Sequence, residues 1–211
     1  MDWQPLVLTF KLAVVTTAIL FVVSIPIANW LSSTKSKIRP VLETLVSMPL
    51  VLPPTVLGFY MLVAFSPENA FGNWLNEWLG IKLIFSFGGL VVASVIYSLP
   101  FMVQPIQAGL SSLPSTLKEA SYTMGKSKIT TLLKILLPNI KPSLLTGVVL
   151  SFAHTVGEFG VVLMIGGNMP GKTKVASIAA NNYSLILFSV TFVILLLVYL
   201  TNGGYFKRYA P

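Results

Sequence analysis

The sequence contains no cysteine, a single histidine and few charged residues, and each shortage excludes a class of protein. Without cysteine the chain cannot form a disulfide, a thiolate metal site or a nucleophilic thiol. Charged residues make up only 9% of the 211 residues, whereas about a quarter is usual in soluble proteins. Apolar residues make up 55%, and the mean hydropathy is +0.82. The composition therefore indicates an integral membrane protein.

The net charge of +8 has two explanations. A basic protein can bind nucleic acid, but lysine and arginine in the cytoplasmic loops of a membrane protein give the same excess. Because the basic residues do not fall on any soluble nucleic-acid-binding module, we favour the membrane explanation. The N-terminal segment MDWQPLVLTFK lacks the positive start and small-residue cleavage site of a signal peptide, so we expect it to begin the first span.

Five apolar segments approach or exceed the ~20 residues that cross a hydrocarbon core. They are residues 6–31, 41–65, 83–110, 143–165 and 184 to about 200. The stretch VASIAANNY is too short and polar to span alone, although it would belong to a sixth crossing if it inserted. Residues 66–82 mix acidic residues with tryptophans and predict an amphipathic segment at an interface. The chain is expected to form one all-α polytopic membrane domain over residues 1–211, with five or six transmembrane helices.

The distribution of lysine and arginine predicts the orientation of these spans, because cytoplasmic loops are enriched in both. Five spans place the termini on opposite sides. One side would carry ten basic residues, namely Lys35, Lys37, Arg39, Lys118, Lys126, Lys128, Lys134, Lys141, Lys207 and Arg208. The other would carry Lys82, Lys172 and Lys174. We therefore expect a multi-pass protein of the cytoplasmic (inner) membrane, with an external N-terminus and a cytoplasmic C-terminus.

The second span contains a cluster of helix-breaking residues. Pro49, Pro53, Pro54 and Gly58 lie within the run MPLVLPPTVLG, where missing N–H donors leave carbonyl groups without partners. A membrane tolerates such groups only where neighbouring protein or a wet cavity satisfies them. This pattern predicts a broken helix that either lines a pathway or forms a packing kink.

Residues 116–142 form the one long polar and basic interval of the sequence. Thr116 and Glu119 fit a capping box that would start a short helix, and Gly125 fits the left-handed residue that ends one. A second helix is predicted over 127–137, with Pro138 stopping it. The first helix would present a smooth face of Leu117, Ala120, Ser121 and Met124, and the second an apolar face of Ile129, Leu132, Leu133 and Leu136. These faces fit a partner protein or the membrane surface.

The spacing of seven residues in this interval resembles the EAA loop of ABC importer permeases. They are Glu119, Ala120, Ser121, Gly125, Ile135, Leu137 and Pro138, and only Ser121 departs from the family pattern, with one small residue replacing another. The resemblance implies that residues 116–138 form a cytoplasmic coupling segment that docks on a separate ATPase subunit. Its contact residues would be Leu117, Glu119, Ala120, Ser121, Met124 and Gly125.

The same resemblance implies the rest of the assembly. A second copy of the permease, two ATPase subunits and an external oxyanion-binding protein would complete the importer. ATP and Mg would bind the ATPase, and this chain would bind no cofactor and catalyse no reaction. The runs MPLVLPPTVLGFYMLV, FSFGGLVVASVIYSLPFMVQPI and SFAHTVGEFGVVLMIGGNMPGKT resemble molybdate permeases in particular. Molybdate or tungstate is the expected cargo, with sulfate or thiosulfate as the nearest alternative.

One motif is misleading. Gly166, Gly171, Lys172 and Thr173 satisfy the phosphate-binding pattern GxxxxGK[ST], which has meaning only between a buried strand and a helix. Here the motif follows a predicted membrane span on the external side. We therefore expect a connector there, or a surface that meets the substrate-delivery protein.

The fourth span contains two ionisable residues, His154 and Glu158, which would share one helical face. A single histidine argues against a metal site, whereas a proton relay and a catalytic acid in a membrane enzyme are alternative roles for these residues. A bare carboxylate would repel an anion, so we expect Glu158 to be paired, neutral or turned toward a helix terminus, where it would hold a broken segment together. The candidate pathway or gate residues are Pro53, Pro54, Gly58, Ser151, Thr155, Gly157, Glu158 and Gly160.

The spans contain no arginine, and their one lysine lies near an end, so the sequence favours a low-affinity route of hydroxyls, amides and helix N-termini. An ion-driven secondary transporter is a further alternative. That class would need matching broken helices in two halves, and the sequence shows no convincing counterpart to the prolines of the second span.

Overall fold

The computed structural model describes residues 3–34, 36–169, 173, 186, 189–193 and 196, and every regular element among them is helical. The predicted all-α class is therefore confirmed for this part of the chain. The elements are α1 Gln4–Ser33, α2 Arg39–Val51, α3 Pro54–Phe65, α4 Ala70–Leu79, α5 Phe87–Ser112, α6 Ser115–Thr123, α7 Lys128–Thr131, a π-helical turn Leu132–Leu136, α8 Leu137–Asn139, α9 Lys141–Gly157 and α10 Gly160–Gly166.

Two of these helices are long and apolar enough to cross a membrane unaided, namely α1 and α5. Two further pairs qualify only as bent spans or re-entrant loops: α2 and α3 meet at 112°, and the helical stretch Lys128–Asn139 meets α9 at 82°. The described residues thus supply up to four crossings. The predicted fifth segment, 184–200, lies mostly outside the described residues, as does VASIAANNY, so a total of five or six stays a prediction.

The centre of the bundle is formed by α1, α5 and α9, which pack side by side. Small hydroxyl side chains are buried in these three helices, and small residues let membrane helices approach closely. The buried hydroxyl residues include Thr16, Ser24, Ser94, Ser98, Ser151 and Thr155. Apolar residues form a cluster around Leu12, Leu90 and Ile165 and another around Leu20, Met102 and Ile106. Because α5 packs on α1, α2, α9 and α10, it is the central element of the fold.

The amphipathic segment predicted between the second and third spans is the helix α4. The side chain of Asn69 caps it by accepting a hydrogen bond from Ala70 N at 3.0 Å, and Gly80 ends it with φ of +64°. Its exposed residues include Phe71, Trp74 and Trp78. Exposed aromatic residues are typical of a helix at a membrane interface, which is where we expect α4 to lie.

Two predicted boundaries in the polar interval are wrong. The capping box does not form, because Leu113 and Pro114 are extended and α6 begins at Ser115 with Pro114 as its N-cap and no side-chain cap. The second helix does not stop at Pro138, because the π-helical turn lets Leu137 N donate to Leu132 O and carries the helix to Asn139. The direction changes only after that residue, at Ile140.

Two glycines of α5 give a matched test of helix packing. A Cβ added at Gly109 would lie 2.7 Å from the Cβ of Ser143 on α9, whereas one at Gly88 would meet nothing closer than Ser86 Oγ at 3.9 Å. We expect Gly109→Ala to lower the free energy of unfolding by about 1–3 kcal/mol through overpacking. Gly88→Ala should be neutral or stabilising by up to about 1 kcal/mol. Thermal unfolding in detergent measures both, and equal effects would contradict the close approach of α5 and α9.

Candidate functional site

A helical hairpin made of α6 and α7 occupies the polar interval, and Gly125 closes its turn. Gly125 has φ of +73°, its N–H donates to Tyr122 O at 2.9 Å, and Lys126 N donates to Ser121 O at 3.1 Å. These two bonds form a Schellman motif. A side chain would be strained at this φ, so the predicted role of Gly125 as a helix terminator is confirmed.

The interior of the hairpin is held by a hydroxyl pair. Ser121 Oγ lies 2.8 Å from Thr131 Oγ1, and both residues are buried. Thr131 Oγ1 donates to Ser127 O, so its hydrogen is engaged and Ser121 is the donor to Thr131. Ser127 Oγ also caps α7 by accepting from Thr130 N at 3.2 Å. Ser121 therefore fastens the two helices together and does not belong to the exposed face predicted for α6.

The exposed surface of the hairpin differs in part from the predicted faces. Met124 is 74% exposed, Ile129 is 70% exposed and Leu133 is 55% exposed. Glu119 and Ala120 are also exposed, and Leu117 is half-buried. The other two apolar residues of the second helix, Leu132 and Leu136, turn inward and pack on the cluster around Met102. We use the name docking face for Glu119, Ala120, Met124, Ile129 and Leu133.

The broken helix of the second span packs on a second broken helix. A Cβ at Gly160 would lie 2.8 Å from Pro54 Cβ, and one at Gly58 would lie 3.1 Å from Val161 Cα. The absence of side chains at these glycines therefore lets α3 and α10 touch. The structure thus brings Pro54 and Gly58 against the segment that follows the break in the fourth span. This second break is the broken segment expected beside Glu158, although the sequence alone did not identify it as a counterpart to the proline-rich span.

Glu158 closes the break between α9 and α10. Its Oε1 accepts a hydrogen bond from Val161 N at 2.7 Å, in the first turn of α10. The expectation that this carboxylate turns toward a helix terminus is therefore met. The shared helical face with His154 is not observed, because α9 ends at Gly157. His154 stacks instead on Phe101, at 4.0 Å between ring centroids.

Ser151 and Thr155 lie apart from the contact between α3 and α10, in the interface of α5 and α9. Thr155 Oγ1 donates to Ser151 O at 2.8 Å and lies 3.1 Å from Ser98 Oγ. Both residues are buried. The Ser98–Thr155 pair joins α5 to α9, whereas Ser151 Oγ is buried without a hydrogen-bond partner among the described residues. Neither Ser151 nor Thr155 lines an open surface in this conformation.

A polar row between α2 and α5 was missed by sequence reasoning. Glu43 Oε1 accepts from Arg39 Nε at 2.9 Å and from Gln107 Nε2 at 2.6 Å. One turn further, Gln104 Nε2 donates to Ser47 Oγ at 3.1 Å. The signal was available in the sequence, because Arg39, Glu43 and Ser47 recur at every fourth position of a helix that is otherwise mostly apolar.

The described residues contain no candidate metal site, and they include only part of the phosphate-binding pattern. They contain no group of three or more His, Asp or Glu side chains that could hold a metal ion. Gly171 and Lys172 of the phosphate-binding pattern lie outside the described residues. Thr173 Oγ1 donates to Gly166 O and accepts from Met169 N, so within the described residues its hydroxyl is engaged by its own loop.

Comparison with known proteins identifies relatives along most of the chain. The family model described as "Binding-protein-dependent transport system inner membrane component" matches residues 21–205. The chain is 47% identical over 178 residues to the molybdenum transport system permease protein ModB of Azotobacter vinelandii, covering 84% of this chain and 78% of that protein. It is 36% identical over 140 residues to the sulfate transport system permease protein CysT of Escherichia coli (strain K12), covering 66% and 50%.

Solved structures share the fold. An inward-facing structure of the MetNI methionine ABC transporter has a TM-score of 0.68 and 16% sequence identity, covering 99% of this chain and 95% of that chain. A bacterial ABC transporter involved in the import of the acidic polysaccharide alginate also has a TM-score of 0.68, with 17% identity, covering 100% and 82%. At such identities the likeness concerns the fold alone.

The cap made by Glu158 gives a prediction about the second break. Glu158→Ala leaves Val161 N without its acceptor, so we expect a loss of about 1–2 kcal/mol in the free energy of unfolding. Glu158→Gln keeps an acceptor oxygen and should retain most of that stability. Thermal unfolding in detergent, with amide hydrogen exchange at Val161, measures the difference. If both variants unfolded and exchanged alike, the cap would not contribute to stability.

Proposed function

Because the chain belongs to the family of binding-protein-dependent transport system inner membrane components, it is the permease subunit of an ABC importer, and we propose that its cargo is molybdate or tungstate. The observation that carries the choice of cargo is the 47% identity to a molybdenum transport permease over 84% of the chain. Sulfate is the second candidate, supported by the 36% identity to a sulfate permease over 66% of the chain.

The hairpin of α6 and α7 is proposed to dock on a separate ATPase subunit that binds ATP and Mg. Two features support this role. The Schellman turn at Gly125 and the Ser121–Thr131 pair make the hairpin a stiff unit, and its docking face exposes Met124, Ile129 and Leu133 to a partner. A stiff unit with exposed apolar anchors suits the transfer of force between two proteins.

The connections of the hairpin suggest how motion would travel. It joins α5 through Leu113 and Pro114, and it leads into α9 through α8 and Ile140. At the far end of α9, Glu158 links to α10, which packs on α3 at Gly58 and Gly160. A shift of the hairpin would thus reach both broken spans, which we propose to form the gate of an alternating-access cycle with a second copy of this chain.

A hairpin that docks on the ATPase lies on the cytoplasmic side of the membrane, and this gives the proposed orientation of the chain. The positive-inside rule supports the same choice, because the hairpin carries Lys118, Lys126 and Lys128. The N-terminus would then be external, facing a substrate-delivery protein. That protein would supply most of the selectivity, since a permease that held an oxyanion tightly would release it slowly.

The polar row between α2 and α5 supports such a low-affinity path. Gln104, Gln107 and Ser47 offer amide and hydroxyl groups, which can donate hydrogen bonds to an oxyanion. The guanidinium of Arg39 is already paired with Glu43, so its positive charge is compensated. The row therefore presents polar donors without a strong cationic trap.

Two substitutions in the hairpin test the coupling role. Glu119→Lys reverses the charge on the docking face, and Gly125→Pro forbids the positive φ that closes the turn. We expect both to abolish ATP-dependent uptake in proteoliposomes and to reduce co-purification of the ATPase, while the chain still inserts. The matched controls are Glu77→Lys and Gly80→Pro on α4, because Glu77 is also exposed and Gly80 has φ of +64°.

The controls should retain uptake and co-purification. Normal uptake and normal ATPase binding in Glu119→Lys and Gly125→Pro would reject docking through this hairpin, although membership of the family would stand.

The cargo can be tested in proteoliposomes containing the permease, the ATPase and the binding protein. We expect uptake of radiolabelled molybdate to require ATP and to be suppressed by unlabelled tungstate. An equal concentration of sulfate should compete much less. Stronger competition by sulfate would assign the chain to the second candidate function, and uptake driven by an ion gradient without ATP would indicate a secondary transporter.

A further inference from the structure

A polar pocket lies where the hairpin joins the helix bundle, apart from the contact between α3 and α10. It has a volume of about 260 Å³ and lies between the C-terminal ends of α1 and α5 and the start of α6. Its polar lining residues are Asn29, Ser32, Ser33, Ser111, Ser115 and Lys118. Neither the docking face nor the proposed gate includes any of these residues.

The charge in this pocket is uncompensated. Lys118 is half-buried, and no carboxylate of the described residues forms an ion pair with it. Among the described residues, no aspartate or glutamate lines the pocket. This arrangement contrasts with Arg39, which is paired with Glu43. A lysine ammonium group without a carboxylate partner favours the binding of an anion.

The neutral groups of the pocket are mostly hydrogen-bond donors. Asn29 supplies an amide, and Ser111 and Ser115 supply hydroxyls. Ser32 and Ser33 now donate to Asn29 O, at 3.0 and 2.6 Å, and a rotation about χ1 or the C–O bond would redirect either hydrogen. Pro114 gives α6 no side-chain cap, so the first turn of that helix adds a partial positive charge.

We propose that this pocket binds a tetrahedral oxyanion group at the joint between the hairpin and the bundle. A pocket lined by a lysine together with several hydroxyl and amide donors suits a phosphate-type group, whose oxygens accept in several directions. The volume admits one such group with its first hydration waters. Because α1, α5 and α6 all contribute to the pocket, a bound anion would tie the hairpin to both long helices.

The anion could come from two sources that share this chemistry. One is the phosphate of an anionic lipid headgroup, since the ends of two long membrane helices contribute to the pocket. The other is a free oxyanion in the solution that bathes the hairpin. Inorganic phosphate is the better probe of the second source, because it is not the proposed cargo and so separates this pocket from the transport path.

The experiment uses the full-length chain in nanodiscs, with Lys118→Gln as the test variant. Lys126→Gln is the matched control, because Lys126 is an exposed lysine at the turn of the same hairpin. Equilibrium dialysis with radiolabelled phosphate, in nanodiscs of phosphatidylcholine alone, measures the free anion. Native mass spectrometry of protein released from nanodiscs containing phosphatidylglycerol measures retained lipid. Thermal unfolding confirms that each variant is folded.

Weaker phosphate binding by about tenfold or more in Lys118→Gln, but not in Lys126→Gln, would support a free oxyanion as the ligand. Loss of phosphatidylglycerol in Lys118→Gln alone would support a lipid headgroup. Lys118→Arg should restore either signal, because it keeps the charge. Ser111→Leu should abolish it by filling the pocket without changing any charge. If Lys118→Gln and Ser111→Leu matched Lys126→Gln in both measurements, the proposal would be overturned.

Discussion

A hydrocarbon interior offers no hydrogen bonds, so each break in a membrane helix must satisfy its freed backbone groups with protein. This constraint governs both broken spans. In the second span, prolines occupy the start of α3, where the first N–H groups have no helical partner in any case. In the fourth span, the carboxylate of Glu158 accepts from the N–H of Val161. Gly58 and Gly160 then allow the two broken segments to pack on each other.

The same constraint explains why the two breaks can act together. Neither α3 nor α10 spans a membrane by itself, since they have 12 and 7 residues, and each depends on packing for its position. A displacement of α9 therefore changes the support of α10 and, through Gly58 and Gly160, that of α3. α9 also packs on α1 and on α5, and the buried Ser98–Thr155 hydroxyl pair fastens its contact with α5. Motion that enters through the hairpin would thus converge on the breaks.

Sequence patterns correctly predicted the features that depend only on residues close together in the chain. Hydropathy identified α1 and α5, the chemistry of left-handed residues identified Gly125, and electrostatics identified the turn of Glu158 toward a helix terminus. The wrong predictions concerned features that depend on residues distant in the chain or on a neighbouring residue with a competing preference. Thr116 did not become a cap, because the preceding Leu113–Pro114 pair fixed an earlier start. Pro138 did not stop its helix, because a π-helical turn accommodated it. The burial of Ser121 depends on Thr131 across the hairpin, and a face defined on one helix cannot reveal such a partner.

The placement of positive charge separates the transport path from the joint of the hairpin. In the polar row of α2 and α5, the one guanidinium is paired with the Glu43 carboxylate, so an oxyanion there would meet no uncompensated positive charge. At the joint, Lys118 has no acidic partner among the described residues. A transported anion must leave its site quickly, whereas an anion that stabilises a joint must stay. A paired positive charge suits rapid release of the transported anion, whereas an unpaired positive charge suits retention of an anion at the joint. The two regions can therefore bind oxyanions in different roles.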